Sequence, residues 1–362
     1  MTQRVYLDWN ATAPLRPEAR AAMLAAMDAL GNPSSVHAEG RAARAILEVA
    51  RADVAALAGC APEAVVFTSG ATEAAALAAP GLPMRCSAVE HDAVALRYGL
   101  ASALPVDGDG VAVLDSVEDG APLALMAAQN ETGALQPVAE AAARAPVFCD
   151  AAQAVGRVAF DFDGLGIRAA AVSAHKLGGP AGVGAAILRD GRAGDGWLTA
   201  QTGGGFGQEK GARPGTQNLI GVAGFGAAAA AAARDLDGGV WERVRALRDA
   251  MEARLVEAAP DAIIISHGAP RLPNTTCVAT PGWRAETQVM QVDLAGFAVS
   301  AGAACSSGKV GPSRALRAMG LDEDIASSAI RISLGPTTTR HDIDRFCAAW
   351  AGFHARRRDR AA

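Results

Sequence analysis

Several features are scarce in this sequence of 362 residues. Aromatic residues make up 4% although hydrophobic residues make up 51%, so Ala, Val, Leu and Gly must build most of the core. The chain has 33 basic against 38 acidic residues and a formal net charge of −5. The lack of a basic excess excludes, as a first interpretation, a protein that binds the nucleic-acid phosphate backbone. The length suits one or two domains with an extensive core.

Long hydrophobic runs and paired cysteines are also missing. The most apolar stretch, residues 221–233, is interrupted by glycine and too short to span a bilayer, which predicts a buried helix. The N-terminal segment reaches Asp8 before a signal-peptide apolar region could form. The six cysteines contain no C-x-x-C pair, as is typical of a reducing compartment rather than of a disulfide framework or a zinc site. We therefore expect a cytoplasmic protein without membrane contact.

Lysine is the scarcest charged residue. Only Lys176, Lys210 and Lys309 are lysines, so 33 − 3 = 30 of the basic residues are arginines. An amine can form an imine and a guanidinium cannot, so each lysine is a candidate for amine chemistry. Chance composition is the alternative for any single lysine.

The hydrophobic pattern predicts an α/β protein. Short apolar runs alternate with helical segments at 64–68, 122–127, 146–149, 169–173 and 182–188. This alternation is typical of a mainly parallel sheet that helices cover on both faces. After a long helix at about 239–259 the pattern changes to a smaller α+β unit. We predict a large domain over 15–255 and a small domain formed by 1–14 and 256–362.

One predicted strand is followed by a turn of small residues. The sequence FTSGATE, residues 67–73, ends an apolar strand and opens an Ala-rich helix. Backbone N–H groups at a helix start, with the Thr72 hydroxyl beside them, predict an anion site. The alternative is an ordinary helix cap formed by Ser69 or Thr72.

Two further predicted strands end in groups of opposite charge. Asp150 and Lys176 each follow an apolar run, at the edge where open α/β sheets bind ligands. A carboxylate for a pyridinium proton and an amine for an imine are what pyridoxal phosphate requires of its protein. A salt bridge is the alternative, but the turn at 67–73 favours the cofactor. His91 could stack on such a ring and move protons, although a lone histidine is more often structural.

The second half of the chain adds two candidate residues. Cys305 lies in the small, glycine-rich stretch SAGAACSSG, residues 300–308, which predicts a mobile loop with an accessible thiol rather than a core cysteine. Arg331 lies in the alternating strand IRISLG, residues 330–335. An inward arginine needs an anion, and a substrate carboxylate would serve. The alternative is an arginine that faces water.

These motifs together resemble the cysteine desulfurases of the nitrogenase and iron–sulfur-cluster type, in the class-V aminotransferase family of fold-type I pyridoxal-phosphate enzymes. The resemblance covers nearly the whole chain and implies a seven-stranded type of sheet. It is carried by YLDWNAT (6–12), GNPSSVHAEGR (31–41), FTSGATE (67–73), Glu90-His91, QNETG (129–133), DAAQAVG (150–156), SAHKLGGP (173–180), RPGTQN (213–218), the Cys305 loop and the run from ALRAMGL (315–321) to SSAIRISLG (327–335).

The resemblance implies the roles of the cofactor-binding residues. Lys176 would form the imine with pyridoxal 5′-phosphate, Asp150 would pair with the pyridine nitrogen, and His91 would stack on the ring and shuttle protons. Gln153 would bind the phenolic oxygen. The phosphate would contact Ala71, Thr72, Ser173, His175 and, from the second subunit of a homodimer, Thr216.

The resemblance also implies the reaction. Asn130 and Arg331 would bind the carboxylate of L-cysteine, and Cys305 would take its sulfur as a persulfide while L-alanine leaves. The persulfide would serve iron–sulfur cluster assembly or another sulfur-transfer pathway through an acceptor or scaffold protein. No permanent metal site is implied, and Cys305 could ligate a cluster transiently. The alternatives are a transaminase or selenocysteine lyase of the same family, or a non-catalytic sulfur carrier.

Overall fold

The computed structural model describes residues 4–78, 83–189, 207–302 and 313–361. Within these ranges the strands are β1 (Val5–Tyr6), β2 (Val65–Thr68), β3 (Arg85–Cys86), β4 (Leu123–Ala124), β5 (Val147–Asp150), β6 (Ala169–Ser173), β7 (Gly184–Leu188), β8 (Ile263–Ile264), β9 (Thr275–Ala279), β10 (Phe297–Ala298), β11 (Ser300–Ala301) and β12 (Ala329–Ser333). The helices are α1 (Pro17–Met27), α2 (Ala38–Ala58), α3 (Ala71–Leu77), α4 (Asp92–Tyr98), α5 (Val138–Arg144), α6 (Leu219–Asp237), α7 (Val240–Ala258), α8 (Ala285–Leu294), α9 (Arg314–Ala318), α10 (Glu323–Ser328) and α11 (Arg340–Ala361).

The larger sheet has the strand order β2-β7-β6-β5-β4-β3. Strands β3, β4, β5 and β6 pair in parallel with one another, whereas β7 is antiparallel to both β2 and β6. Residues 174–183 connect β6 to β7 without a crossover α-helix, and only antiparallel strands can be joined in this way. The predicted α/β fold with a mainly parallel sheet is confirmed. The described residues contribute six strands to this sheet, where the resemblance implied seven.

Helices cover both faces of this sheet, so its longer strands are continuous apolar runs. Helix α6 packs against α1 and α2 through small residues. A Cβ at Gly226 would lie 2.5 Å from the Cα of Ala50, so only glycine allows this approach. By length and composition α6 could cross a membrane, but 56% of its apolar window is buried inside the fold. That burial matches the predicted core helix.

A second core lies around smaller sheets. Strands β11-β12-β9-β8 form an antiparallel sheet, and β1 pairs in parallel with β10. Helices α7, α8 and α11 pack here, and Trp241, Met251 and Leu255 of α7 share one apolar cluster with Leu7 and Trp350. The long helix predicted at about 239–259 is present as α7. The division at residue 255 stays a prediction, and the apolar side of α7 packs on the second core.

The chain after β1 joins the two cores. The Leu7 carbonyl accepts a hydrogen bond from Ser333 N at 2.8 Å, on β12 of the small sheet. A few residues later, Ala13 N donates to the His175 carbonyl at 2.8 Å, just beyond β6 of the large sheet. The segment between them therefore lies against the carboxyl ends of the parallel strands. Polar side chains from both cores meet there.

Candidate active site

A cavity of about 380 Å³ opens at the carboxyl ends of β5 and β6. Its volume lies in the range of roughly 300–1,000 Å³ that is usual for small-molecule sites. Nine of the residues predicted from the sequence line it: Ala71, Thr72, His91, Asn130, Asp150, Gln153, Ser173, His175 and Lys176. Residues up to 105 positions apart (176 − 71) therefore meet in one place, because neighbouring strands end at the same edge of the sheet.

The turn before α3 forms one wall of the cavity. Among the residues that the structure describes, no side chain caps this helix, so the predicted alternative of a Ser69 or Thr72 cap is absent at its N-terminus. Glu73 accepts hydrogen bonds from Ser69 N at 2.5 Å and from Arg213 Nε at 2.9 Å. Burial raises the pKa of Glu73, but these hydrogen bonds outweigh burial, and the net pKa is lowered. The negative charge of Glu73 at this wall is therefore balanced by the positive charge of Arg213.

Asp150 and Lys176 stand at the ends of adjacent parallel strands. Asp150 is the last residue of β5, and its Oδ1 accepts the N–H of Ala152 at 3.0 Å. Lys176 lies in a 3₁₀ turn directly after β6. Its Nζ donates to the carbonyl oxygens of Asn10 at 2.6 Å and Ala11 at 2.9 Å. A carboxylate and an amine thus face one cavity from neighbouring strands.

His91 forms the N-terminal cap of α4. Its Nδ1 accepts the N–H of Ala93 at 3.2 Å, so the neutral ring carries its proton on Nε2. The preceding Glu90 is buried and accepts hydrogen bonds from Ser87 Oγ at 2.9 Å and Met126 N at 2.7 Å. Burial raises the pKa of Glu90 to about 8. The cap fixes the ring that lines the cavity.

His175, next to the cavity lysine, is held neutral. Burial, followed by the positive charges of Lys176 and Arg157, lowers the pKa of His175 to about 4. Its Nδ1 lies 3.2 Å from Thr12 Oγ1. A neutral imidazole can still donate one hydrogen bond to an anion.

Arg331 lies behind Asn130 and is not part of the cavity lining described above. Its side chain is 1% exposed, which excludes the water-facing alternative. One guanidinium nitrogen donates to Asp8 Oδ1 at 2.8 Å and the other to the Asn130 carbonyl at 3.1 Å. The sequence predicted an anion for this arginine but not Asp8. A contact between Arg331 and a substrate stays a prediction.

Besides Arg331, two further predicted residues are not among the cavity-lining residues of the described chain. Thr216 is exposed on the stretch before α6, so its contribution across a dimer stays a prediction. Cys305 lies outside the described residues. The five described cysteines are buried or half-buried, and burial raises the pKa of every one of their thiols. None of these five lines the cavity.

Sequence reasoning did not single out Asn10, which is fully buried behind Lys176. Its carbonyl accepts Lys176 Nζ, and its amide contacts Thr275 Oγ1 at 2.9 Å and Arg157 at 2.7 Å. Its only sequence signal is membership of the motif YLDWNAT, since no local pattern reveals partners so distant along the chain. Asn10 joins residues of both cores.

The lining fits pyridoxal 5′-phosphate. An amine, a carboxylate at a strand end and an imidazole surround a space whose other side is an uncapped helix start. Met126, Ala128 and Ala152 add apolar surface for a flat ring. No cluster of three or more metal-ligating side chains occurs in the described ranges. This donor set suits a phosphorylated aldehyde better than a metal ion.

Comparison with known proteins gives a consistent family. Residues 5–346 match the family described as aminotransferase class-V. A cysteine desulfurase of Cereibacter sphaeroides is 41% identical and covers 95% of this chain and 94% of its own length. The IscS-like cysteine desulfurase of Mycobacterium tuberculosis is 35% identical over 98% of this chain and 97% of its own. The solved NifS-like protein from Rickettsia africae superposes with a TM-score of 0.86 at 30% identity, over 98% of this chain and all of that one.

Family and cavity agree on the cofactor. Enzymes of this kind depend on pyridoxal 5′-phosphate, and so does this one. The chain belongs to the class-V aminotransferase family, within its group of cysteine desulfurases.

Proposed function

We propose that this protein is a cysteine desulfurase that converts L-cysteine to L-alanine and transfers the sulfur to Cys305. The observation that carries the proposal is the single cavity in which Lys176, Asp150 and His91 meet beside an uncapped helix start. Relatives that span nearly the whole chain and carry the same name support it.

The residues that hold the cofactor follow from the donor set. Lys176 would hold the aldehyde, Asp150 the ring nitrogen and Gln153 the phenolic oxygen, with His91 against the ring. Ala71, Thr72, Ser173 and His175 would surround the phosphate. When bound, pyridoxal phosphate supplies an electron sink that acidifies the α-hydrogen of an amino acid. His91, with its proton on Nε2, is suited to move protons at the substrate because α4 fixes its other nitrogen.

Asn130 and Arg331 would bind the substrate carboxylate. The two residues already contact one another, since Arg331 donates to the Asn130 carbonyl at 3.1 Å. Asp8 holds the guanidinium from behind at 2.8 Å and keeps it charged. A carboxylate that approaches past Asn130 would meet a guanidinium whose position is already fixed. A fixed cation of this kind selects amino-acid substrates and orients them.

Cys305 is proposed as the sulfur acceptor on the basis of sequence and of elimination. The described cysteines are poor nucleophiles, because burial raises their thiol pKa values, to about 12 for Cys60 and Cys86. In the overall step the Cβ–S bond of L-cysteine breaks and an S–S bond to Cys305 forms. The products are L-alanine and a persulfide, so atoms and electrons balance without an external oxidant.

The wider setting is also a proposal. We infer a homodimer in which Thr216, exposed in this chain, reaches the phosphate of the neighbouring subunit. The persulfide would pass to a sulfur-acceptor or iron–sulfur scaffold protein in the cytoplasm, for cluster assembly or another sulfur-transfer pathway. No pathway is favoured by the residues of the cavity.

The test is incubation of purified protein with L-cysteine and a reductant, with alanine and sulfide measured together. Wild-type protein should release equal amounts of both, whereas Cys305→Ser should lose both. Equal sulfide release by wild type and Cys305→Ser would contradict the assigned nucleophile. Retention of transamination in Cys305→Ala, with no desulfuration in wild type, would identify a transaminase instead.

A further inference from the structure

Arg157 is a buried cation without a carboxylate partner. Its residue is 3% exposed. One guanidinium nitrogen donates to Asn10 Oδ1 at 2.7 Å and Gln153 Oε1 at 2.5 Å, and the other to the carbonyls of Trp9 and Lys176, each at 3.3 Å. All four acceptors are neutral, and within the described ranges no carboxylate oxygen lies at ion-pair distance from it.

Such a group is costly to bury. An ion removed from water needs a counter-charge or an equivalent set of dipoles, and a well-packed neutral side chain would avoid the cost. Other buried arginines in this chain do have carboxylates, as Arg271 has Glu252 and Arg51 has Glu209. Burial, and then the charge of Arg331, lower the pKa of Arg157, although a guanidinium stays charged near pH 7. The uncompensated charge therefore calls for a functional reason.

The neighbour of Arg157 supplies that reason. Asn10 lies between Arg157 and Lys176: its side-chain oxygen binds Arg157, and its carbonyl binds Lys176 Nζ at 2.6 Å. Gln153 connects the same groups a second time. Its Nε2 donates to the Asn10 carbonyl at 3.1 Å, and its Oε1 accepts a hydrogen bond from Arg157. The guanidinium and the Lys176 amine thus contact the same residue, Asn10, and the guanidinium is held by neutral groups that supply dipoles but no formal counter-charge.

We propose that Arg157 is a positioning residue whose fixed positive charge favours the deprotonated, nucleophilic form of the Lys176 amine. The inference rests on the proposed function, which needs a neutral amine at Lys176 to hold the cofactor. Like charges in a shielded site disfavour the protonated form of an amine.

The other charged groups around Lys176 leave this effect in place. His175, the next residue back, is neutral near pH 7. Arg331 is a second cation, and Asp8 neutralises it at 2.8 Å. Asp150, at the end of the adjacent strand, opposes the effect from the cavity side. Within the described ranges, Arg157 is therefore a cation on this side of the lysine with no carboxylate at ion-pair distance.

The scarcity of lysine allows a direct test. The full chain, freed of cofactor, is acetylated with acetic anhydride over a range of pH, and the labelled peptides are quantified by mass spectrometry with Lys210 as internal reference. In Arg157→Gln the midpoint for Lys176 should rise by about one pH unit, so labelling below the midpoint should fall about tenfold. Arg157→Lys, which keeps the charge, and Arg245→Gln, which removes an exposed arginine, should behave as wild type.

A second variant covers the case in which Arg157→Gln does not fold. Gln153→Glu would place a carboxylate against Arg157 where an amide oxygen now lies at 2.5 Å. It should also raise the Lys176 midpoint, because it neutralises the guanidinium. An unchanged midpoint in either folded variant would overturn the proposal.

The cofactor-loaded protein gives an independent readout. The pH midpoint of its visible absorption band should rise in Arg157→Gln and not in Arg157→Lys. If wild-type protein binds no cofactor or makes no alanine, the proposed function fails, yet the labelling of Lys176 still tests Arg157. The two failures are therefore distinguishable.

Discussion

The two sides of the cavity are built differently. On one side Asp150, Ser173 and Lys176 follow the ends of adjacent strands, and the backbone of the large sheet fixes their positions. On the other side, the hydrogen bond from Asn10 to Thr275 spans 265 residues and that from Arg331 to Asp8 spans 323. The edge of the large sheet presents the reactive groups. The long-range hydrogen bonds of Asn10 and Arg331, here called the network, hold these groups against the second core.

This difference predicts two classes of variant. Groups at the sheet edge are partly open to the cavity and lie at its surface, so their replacement should change chemistry more than stability. Groups in the network are buried and hydrogen-bonded to both cores, so their replacement should cost stability as well.

The largest effect should come from Lys176→Arg. The guanidinium keeps the charge but cannot form an imine, so alanine formation should fall on the order of a thousand-fold or more. The matched control is Lys210→Arg, whose lysine donates to the carbonyl of the exposed Glu63 at 2.8 Å. Assays with L-cysteine check both variants. Comparable losses of alanine formation in the two variants would contradict the assignment of Lys176 as the lysine that holds the cofactor.

Asp150→Asn should have the next largest effect on activity. The amide cannot supply the negative charge that a ring nitrogen requires, and we expect a loss of roughly 100-fold in kcat. The melting temperature should stay close to that of wild type, because Asp150 makes one local hydrogen bond to Ala152. Steady-state kinetics and thermal unfolding measure the two quantities. A large loss of stability would place Asp150 in the network instead.

Asn10→Ala should mainly reduce stability. It leaves buried partners such as Thr275 and Arg157 without their contacts, at a cost of about 2–3 kcal/mol in the free energy of unfolding. Denaturant unfolding measures this cost. The control is Asn32→Ala on the surface, where we expect a change below about 0.5 kcal/mol. An equally small change in the free energy of unfolding for both variants would contradict the difference between the two sides of the cavity.

The smallest predicted effect concerns pH. The folded pKa of Glu90 is about 8, above its ordinary value of 4.5, so the stability that this group contributes is complete below pH 4.5 and is lost as pH rises through 8. Glu90→Gln removes that loss. The variant should therefore gain stability relative to wild type at pH 9 and not at pH 5.

Thermal unfolding at the two pH values checks this, with the exposed Glu63→Gln as the surface control. A Glu90→Gln variant with the same pH dependence as wild type would contradict the raised pKa.

The sequence predicts the sheet edge well for a physical reason. A polar residue after an apolar strand, such as Asp150, has its position set by the strand before it, so local pattern and spacing are enough. Antiparallel β7 departs from the simple parallel expectation because a short connection follows β6. The local pattern left an inward and a water-facing Arg331 open, and the structure shows the inward one.

The contacts of the network could not be predicted from the local sequence pattern. Asp8 as the partner of Arg331, and Asn10 as the link between Lys176 and Arg157, depend on contacts between distant segments. Arg157 follows directly after the motif DAAQAVG, but nothing in its neighbours shows that it is buried without a carboxylate. Such residues become visible only once the two cores are packed together.

The most direct test of the account is to locate the cofactor on the chain. Purified protein is reduced with sodium borohydride, which fixes the cofactor covalently to the lysine that holds it, and the modified peptide is identified by mass spectrometry. We expect the modification on Lys176 alone among the three lysines. A modification on Lys210 or Lys309, or none at all, would contradict it.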